Sequence, residues 1–298
     1  MTSRYQEQFS VEGIKFTHRE KVELIEIDNA FAKATITTLG GSVLSFMPKG
    51  QKDLLWVSDT AVYDGSKPVR GGVPVCWPWF GAAKQAGLPA HGFVRSMVWN
   101  VEKAVHLDTG ATRVLLACES DENTMAQWPH PFSLKLCIEI GESLILTLIS
   151  ANLSDESIDI TEALHTYFAV ANPVGMQIKG LEKSTHLDKL ASDAPAEIQN
   201  EIVVLNPPKD SVYLNQTGTV AIIDADNNRQ IIIEKRNSQS SVVWNPGPEI
   251  VKGFADIDDQ AWLEFACVES GNVLDNFITL PSKAEHMLSV QYSIEPLA

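Results

Sequence analysis

Basic residues are scarce in this chain, and the few it has are scattered. Its 298 residues include 23 Lys and Arg against 38 Asp and Glu, a formal net charge of −15. An acidic surface without a basic run repels phosphodiester backbones and anionic lipid headgroups. We therefore predict no nucleic-acid partner and no membrane partner. An anionic substrate would have to be held by a few individually placed cations.

Cysteines and long apolar runs are also few. The four cysteines, Cys76, Cys118, Cys137 and Cys267, are widely spaced and form no C-x-x-C pair with histidines at zinc-binding spacing. The segment 1–12 is polar and offers no apolar export signal. The apolar stretch 144–153 is about half of the roughly 20 residues that span a bilayer. We expect a cytoplasmic protein whose cysteines are reduced and packed.

Helical periodicity is rare, and its two short candidates are 122–127 and 194–201. Short β-branched or aromatic segments bounded by turn residues dominate instead, at 31–46, 112–119, 134–140, 144–149, 158–160, 220–224, 231–235, 241–244, 262–269 and 287–294. Two hairpins join 136–140 to 144–149 and 220–223 to 231–234. Because long helices do not alternate with these strands, we predict an all-β fold. It should be one domain over 1–298, a large antiparallel β-sandwich with few short helices.

Two arginines stand in unusual Gly- and Trp-rich segments. Arg70 precedes Gly71 and Gly72, which could let backbone N–H groups approach a ligand. Arg95 follows His91 by four residues, and an extended backbone would place both on one face with Phe93. The planar guanidinium fork suits a phosphate, so we predict an anion pocket. The aromatic side chains near these arginines, Trp77 and Trp79, are expected to pack.

A histidine and a glutamate are candidates for proton transfer. If 161–168 is extended, His165, Tyr167 and Ala169 share a face. A single histidine in a strand is more often structural than catalytic. Glu269 closes the apolar run 262–269, where it either ends the strand or, partly desolvated, has a raised pKa and acts as a base.

Six segments in order make a stronger signal than any of these residues alone. They are RGGVPVCWPWFG (70–81), LPAHGFVR (88–95), ALHTYF (163–168), DSVYLN (210–215), VWNPG (243–247) and FACVES (265–270). From about 31 to about 294 the chain resembles the hexose-6-phosphate mutarotases, or glucose-6-phosphate 1-epimerases, of the aldose 1-epimerase superfamily. This resemblance implies the galactose mutarotase-like supersandwich.

The resemblance also implies roles for individual residues. His165 matches the family's general acid and Glu269 its general base, while the substrate phosphate is clamped by Arg70 and Arg95. Asp210 is implied as an acidic substrate contact, and His91 as a histidine that faces the sugar. The substrate would be a hexose 6-phosphate whose α and β anomers are interconverted by ring opening and reclosure, without cofactor or metal. We expect a monomer.

This chemistry makes demands on the two proton-transfer groups. His165 must be protonated to donate, so we expect a nearby carboxylate to raise its pKa above about 6.5, while Glu269 stays ionised. Trp77, Trp79 and Trp244 could offer the sugar an apolar surface, although packing is the favoured role.

Three alternatives remain open at this stage. The chain could be a mutarotase for unphosphorylated aldoses, which would give the arginines no substrate role. It could be a non-catalytic carbohydrate-binding sandwich or a regulatory partner that keeps the pocket. A zinc site built from His91, His165 and Glu269 is the third alternative.

Overall fold

The computed structural model describes residues 3–191 and 194–297, and strands are their commonest regular structure. The strands are β1 Ile14–Arg19, β2 Val22–Asp28, β3 Ala32–Thr37, β4 Ser42–Pro48, β5 Val75–Cys76, β6 Asn100–His106, β7 Thr112–Glu119, β8 Phe132–Ile140, β9 Leu144–Asn152, β10 Ile158–Ile160, β11 Glu162–Leu164, β12 Tyr167–Ala169, β13 Met176–Lys179, β14 Thr185–Asp188, β15 Glu197–Ile198, β16 Val203–Leu205, β17 Lys209–Leu214, β18 Val220–Asp224, β19 Arg229–Arg236, β20 Ser240–Asn245, β21 Phe265–Asn272, β22 Ile278–Leu280 and β23 Glu285–Pro296.

Helices are short. The α-helices are α1 Arg4–Gln8, α2 Glu122–Gln127 and α3 Gly247–Ile250, and 3₁₀ turns cover Val94–Ser96, Ala225–Asn227, Val251–Gly253, Ala261–Leu263 and Leu274–Asn276. Helix α2 begins at a capping box in which Asp121 and Thr124 bond each other's backbone N–H groups. Over the described residues, no helix combines the length and apolar character that crossing a membrane requires.

The strands form antiparallel sheets. A nine-stranded sheet has the order β16-β13-β18-β19-β23-β9-β8-β7-β6, and an eight-stranded sheet has the order β15-β14-β17-β20-β21-β11-β5 with β12 also paired to β21. Strands β1 to β4 form a four-stranded sheet in sequence order, and β10 pairs with β22. Both predicted hairpins are present, as β8 with β9 and β18 with β19. The prediction of an all-β antiparallel sandwich is confirmed.

The main core lies between the two large sheets. Along β8, buried and half-buried residues alternate from Phe132 to Ile140, as a strand with one face in the core requires. The core cluster joins Leu136 of the nine-stranded sheet to Leu164, Val243 and Val268 of the eight-stranded sheet. One face of the eight-stranded sheet therefore packs in the main core, and its other face carries smaller, separate apolar clusters.

Three details of the sequence prediction are wrong. The segment 31–46, predicted as one strand, is two strands, β3 and β4, joined by residues 38–41. Residues 194–201 form no helix, since Glu197–Ile198 is an edge strand paired with β14. The weak amphipathic pattern there reflects a polar edge of the sheet. The predicted strand 262–269 begins with a 3₁₀ turn at Ala261–Leu263 and continues to Asn272, so Glu269 lies inside β21 instead of closing it.

Candidate active site

The outer face of the eight-stranded sheet carries Glu269. Along β21, Ala266 and Val268 point into the main core, while Phe265 and Cys267 belong to a second apolar cluster on the opposite face. Period-two alternation places Glu269 on that opposite face. Its antiparallel neighbour on β20 is Val242, which packs in a third apolar cluster. The carboxylate is therefore set among apolar side chains and is 1% exposed.

His165 lies between β11 and β12, beside this carboxylate. Its backbone N–H donates to the carbonyl of Pro74, and its ring stacks on Tyr167 at 4.9 Å. The alternation predicted for 161–168 holds, because Leu164 and Phe168 point into the core. His165 Nε2 lies 3.3 Å from Glu269 Oε1, with side-chain exposures of 10% and 1%.

Both groups keep an unused polar atom. His165 Nδ1 and Glu269 Oε2 are buried without a hydrogen-bond partner in the structure. Buried polar atoms normally find partners, and exceptions are frequent at functional sites. A ligand with hydroxyl groups could satisfy such atoms.

The pKa shifts of the pair differ from the expectation for His165. Burial lowers the pKa of His165 well below its usual 6.5, and the nearby His91, Arg95 and Arg70 lower it further. Burial raises the pKa of Glu269 well above its usual 4.5, and the nearby Asp210 adds to the rise. The sequence-based expectation of a raised His165 pKa is therefore wrong in the structure as it stands. The reason is that desolvation of the buried imidazole is the largest effect, followed by the neighbouring His91, Arg95 and Arg70.

His91 is held close to His165 by a turn. Its backbone N–H donates to the carbonyl of Gly81, and its Nδ1 accepts from the Gly81 N–H at 3.3 Å. The rings of His91 and His165 are 5.7 Å apart. Because Nδ1 accepts, the neutral tautomer carries its proton on Nε2. Burial lowers the pKa of His91 to about 4, with smaller contributions from Arg95 and Arg70.

The extended backbone considered for 91–95, which would put His91 and Arg95 on one face, is not present. His91 and Gly92 have φ values of 62° and 71°, and Val94–Ser96 is a 3₁₀ turn. A Cβ on Gly92 would lie 1.8 Å from the carbonyl oxygen of Trp77, so only glycine fits there. His91 and Arg95 are thus brought to the site by a tight turn, which no period-two argument could reveal.

Arg70 has two polar partners. Its Nε donates to Asp256 Oδ1 at 3.2 Å and its Nη1 to the Tyr167 hydroxyl at 3.2 Å. Its guanidinium also lies 5.2 Å from the ring of Phe254. The side chain remains 24% exposed. Five donor N–H groups on a guanidinium leave capacity for an anion beyond these two bonds.

The glycines after Arg70 do not serve a ligand in the way the sequence suggested. The N–H of Gly72 donates to the carbonyl of Trp56 at 2.7 Å. A Cβ on Gly72 would lie 2.2 Å from the carbonyl oxygen of Val43. Glycine is therefore required at position 72 because two backbone segments lie close together there, and not because a substrate approaches the backbone.

Arg95 and Arg70 line one small cavity together with His165. Arg95 is half-buried and donates from Nη2 to the carbonyl of Ala90 at 2.8 Å. The cavity has a volume of about 100 Å³ and is also lined by Lys67 and Asp256. Lys67 Nζ lies 3.1 Å from Asp256 Oδ2. Three cations and one carboxylate therefore line one cavity in a chain that is otherwise strongly acidic.

Asp210 and Trp244 complete the face next to Glu269. Asp210 on β17 is opposite Trp244 on β20, which is in turn opposite Cys267 on β21. Burial raises the pKa of the half-buried Asp210. The Trp244 ring lies 6.0 Å from that of His165 and packs on Phe265.

The other two tryptophans differ from Trp244. Trp77 is fully buried and packs against Phe132, so it belongs to the core. Trp79 is half-buried, packs on Phe93 and donates to the carbonyl of Pro89.

Sequence reasoning missed Lys67, Asp256 and the bond from Arg70 to Tyr167. Lys67 stands three residues before Arg70, a pair of cations that could have been noticed in so acidic a chain. Asp256 stands close to Asp258 and Asp259, so its position suggested an ordinary solvated loop. Among the described residues, no group of three His, Cys, Asp or Glu side chains is arranged to hold a metal ion. The four cysteines are free thiols, and all but the half-buried Cys137 are buried.

This arrangement of sheets and site places the protein among the sugar epimerases of β-sandwich fold. Residues 23–293 match the family described as aldose 1-epimerase, and the chain belongs to that family. A relative from Escherichia coli (strain K12), named "Putative glucose-6-phosphate 1-epimerase", is 33% identical over 269 residues, which are 90% of this chain and 89% of that protein.

Solved structures show the same architecture. A structure described as "a putative mutarotase (YeaD)" from Salmonella typhimurium superposes with a TM-score of 0.88 at 29% identity, covering 95% of this chain and 94% of that one. A galactose 1-epimerase from Lactobacillus acidophilus gives a TM-score of 0.74 at 14% identity, covering 96% and 99%. The fold is therefore the galactose mutarotase-like sandwich predicted from the sequence motifs.

Proposed function

We propose that this protein is an isomerase that interconverts the α and β anomers of hexose 6-phosphates, with glucose 6-phosphate as the reference substrate. The observation that carries the proposal is the position of the acid–base pair. His165 Nε2 and Glu269 Oε1 are 3.3 Å apart, and His165 lines the same cavity as Arg70 and Arg95. The name of the Escherichia coli relative supports the same reaction.

Anomer exchange needs one proton acceptor and one proton donor. Glu269 takes the proton from the C1 hydroxyl, and protonated His165 gives its proton to the ring oxygen. The C1–O5 bond breaks as the C1–O1 bond becomes a carbonyl, and rotation about C1–C2 presents the other face of that carbonyl. Reclosure then returns the first proton from Glu269 to O1 and the second from O5 to His165. Every proton is restored, and no electron leaves the sugar.

The cations provide the anchor for the phosphate. A phosphate monoester carries about −1.5 to −2 charge at neutral pH, and Arg70 and Arg95 offer charged N–H donors for its oxygens. An anchor remote from C1 converts binding energy into orientation of the reacting carbon. His91 and Asp210 stand close enough to the pair to orient sugar hydroxyls, and Trp244 flanks His165.

An alternative within the same family is an epimerase for unphosphorylated aldoses. Such an enzyme would use His165 and Glu269 but would gain nothing from cations in the cavity. NMR exchange spectroscopy on equilibrated anomers should show a much higher kcat/KM for glucose 6-phosphate than for glucose. Equal values for the two sugars would favour the alternative and remove the arginines from the substrate site.

A non-catalytic carbohydrate-binding role is the second alternative. His165→Asn and Glu269→Gln should then leave the exchange rate at the spontaneous level already seen with the unmodified protein. Under our proposal each variant instead loses an acceleration that the unmodified protein has, while glucose 6-phosphate still binds. Full activity in the presence of a chelator would separate the proposal from a zinc-dependent mechanism.

The cellular setting of the reaction also remains a proposal. The free and mostly buried thiols fit a reducing compartment, so a cytoplasmic enzyme is proposed. A monomer is proposed as well, and sedimentation of the purified protein tests it.

A further inference from the structure

The anchor for the phosphate and the acid–base pair are physically connected. Arg70 Nη1 donates to the Tyr167 hydroxyl at 3.2 Å, and the Tyr167 ring stacks on His165 at 4.9 Å. Arg70, Arg95, Tyr167 and His165 line the same cavity of about 100 Å³. Charge placed beside the arginines is therefore felt at the imidazole across low-dielectric protein instead of bulk water.

The groups that face His165 are known from each element around it. They are Glu269 from β21, Tyr167 from β12, His91 from the turn after Gly81, Arg95 from the 3₁₀ turn, and Arg70 from the loop before β5. The ion pair of Lys67 and Asp256 lines the same cavity as His165. Cys76 and Cys267 stand beside Glu269, and burial raises the pKa of both thiols, to about 12 for Cys76, so they stay neutral. Among the described neighbours, Glu269 is the one carboxylate within ion-pair distance of His165.

Without an anion beside the arginines, this arrangement favours an inactive position of the proton. Burial and the cations lower the pKa of His165, while burial raises that of Glu269. A pair that holds one proton then keeps it on Glu269, with His165 neutral. The reaction starts from the opposite arrangement, an ionised Glu269 and a protonated His165. The 3.3 Å contact between the two groups is short enough for the proton to cross on a small adjustment.

A bound phosphate changes the balance, because its negative charge offsets the two arginines. We propose that an anion held by Arg70 and Arg95 moves the shared proton from Glu269 to His165, so that the substrate's phosphate activates the acid–base pair in addition to anchoring the sugar. This inference rests on the proposed function. It explains why a phosphorylated sugar would gain in kcat and not in KM alone.

The direct test is the protonation of His165 in the full-length protein at neutral pH. ¹⁵N-histidine labelling distinguishes a neutral imidazole from an imidazolium, and His165→Asn identifies the signal of His165. Titration with inorganic phosphate should convert His165 from the neutral to the protonated form. Arg95→Ala should lose that conversion at phosphate concentrations that saturate the unmodified protein. Lys15→Met removes one exposed cation far along the chain on β1 and should behave like the unmodified protein.

A second measurement uses turnover. Saturating inorganic phosphate should accelerate anomer exchange of free glucose, by up to about tenfold for each unit by which the anion raises the pKa of His165. Phosphate also catalyses this exchange without enzyme, so the His165→Asn variant in the same buffer supplies the background rate.

Three outcomes would overturn the inference. His165 could already be an imidazolium without phosphate, it could stay neutral with phosphate bound, or phosphate could fail to bind at the arginines. The proposed function is judged separately, by exchange of glucose 6-phosphate anomers. If the protein catalyses this exchange but the protonation of His165 does not respond to phosphate, the proposed function stands and the inference is wrong. A protein whose His165 responds but which shows no exchange loses the proposed function.

Discussion

The two ends of the proposed sugar site differ in burial and in charge. At one end, His165 and Glu269 are almost completely buried between apolar clusters, and each retains an unpartnered polar atom. At the other end, Arg70 and Lys67 are 24% and 37% exposed and are held by the two oxygens of Asp256. Burial prepares groups for proton transfer by shifting their pKa values, whereas a partly solvated anchor keeps its charge for binding.

This contrast predicts that substitutions at the two ends change different kinetic constants. A change at the buried end should reduce kcat, because the lost interaction belongs to the transition state. A change at the charged end should mainly raise KM for the phosphorylated sugar.

The largest loss is expected at Glu269. Glu269→Gln keeps the shape of the side chain but cannot accept a proton, so kcat for glucose 6-phosphate should fall by about 10²- to 10⁴-fold. NMR exchange measures kcat, and calorimetry checks that sugar-phosphate binding persists. Loss of binding with unchanged kcat would show that Glu269 binds the sugar phosphate without taking part in proton transfer. The two ends of the site would then not control different kinetic constants.

A smaller effect is expected at Arg95. Arg95→Ala removes charge-assisted hydrogen bonds worth about 1.5–3 kcal/mol, so kcat/KM for glucose 6-phosphate should fall by about ten- to hundredfold. Most of the loss should be in KM, because Arg95 acts on the phosphate and not on the reacting carbon. Free glucose serves as the control substrate. An equal loss of kcat/KM on both sugars would show that Arg95 does not bind the phosphate.

Burial of Glu269 also has a consequence for stability. Its pKa in the folded protein is raised above its usual 4.5, so the folded state retains a proton that the unfolded chain releases. The stability from this group is fully present below pH 4.5 and is lost as pH rises towards the folded pKa. Glu269→Gln should therefore gain stability over the unmodified protein as pH rises through that window, by about 1.4 kcal/mol per pH unit.

Urea unfolding at several pH values measures this difference. The matched control is Glu285→Gln, an exposed position on β23, where no comparable gain is expected. A stability difference at Glu269 that does not change with pH would mean that its carboxyl is not desolvated.

The smallest effect is expected at Asp256, which positions Arg70 and Lys67 without needing to touch the sugar. Asp256→Asn keeps an oxygen for one cation and loses the ion pairs with Arg70 and Lys67, partly exposed interactions worth about 0.3–1 kcal/mol each. KM for glucose 6-phosphate should change by about two- to fivefold with kcat nearly constant. Asp258→Asn, an exposed neighbour, supplies the control. A large fall in kcat at Asp256 would indicate that the anchor and the reacting pair are not separate.

The sheets were the easier part to predict from the sequence. Strand β7 was predicted at its observed bounds, because a run of β-branched and apolar residues between Gly110 and Ser120 is a local signal. The shared face of His165 and Tyr167 followed from the same rule. The turn that carries His91 and Arg95 did not, because it depends on glycine conformations and on the close approach of Gly92 to Trp77. Turns of this kind have no repeating residue pattern from which they could be predicted.

The electrostatics of the site were the harder part. Family motifs pointed to His165 and Glu269, but the direction of the His165 pKa shift depends on what surrounds it in three dimensions. The apolar clusters around Glu269 come from β5, β11, β20 and β21, and Asp256 reaches Arg70 across 186 positions of sequence. Contacts at such separation cannot be inferred from neighbouring residues.

The most direct test of the account is a crystal structure of the Glu269→Gln variant with glucose 6-phosphate bound. We expect the phosphate on Arg70 and Arg95, with the C1 hydroxyl and ring oxygen within hydrogen-bond reach of residue 269 and His165. A sugar phosphate seated elsewhere, or one whose C1 points away from both side chains, would contradict the central claim.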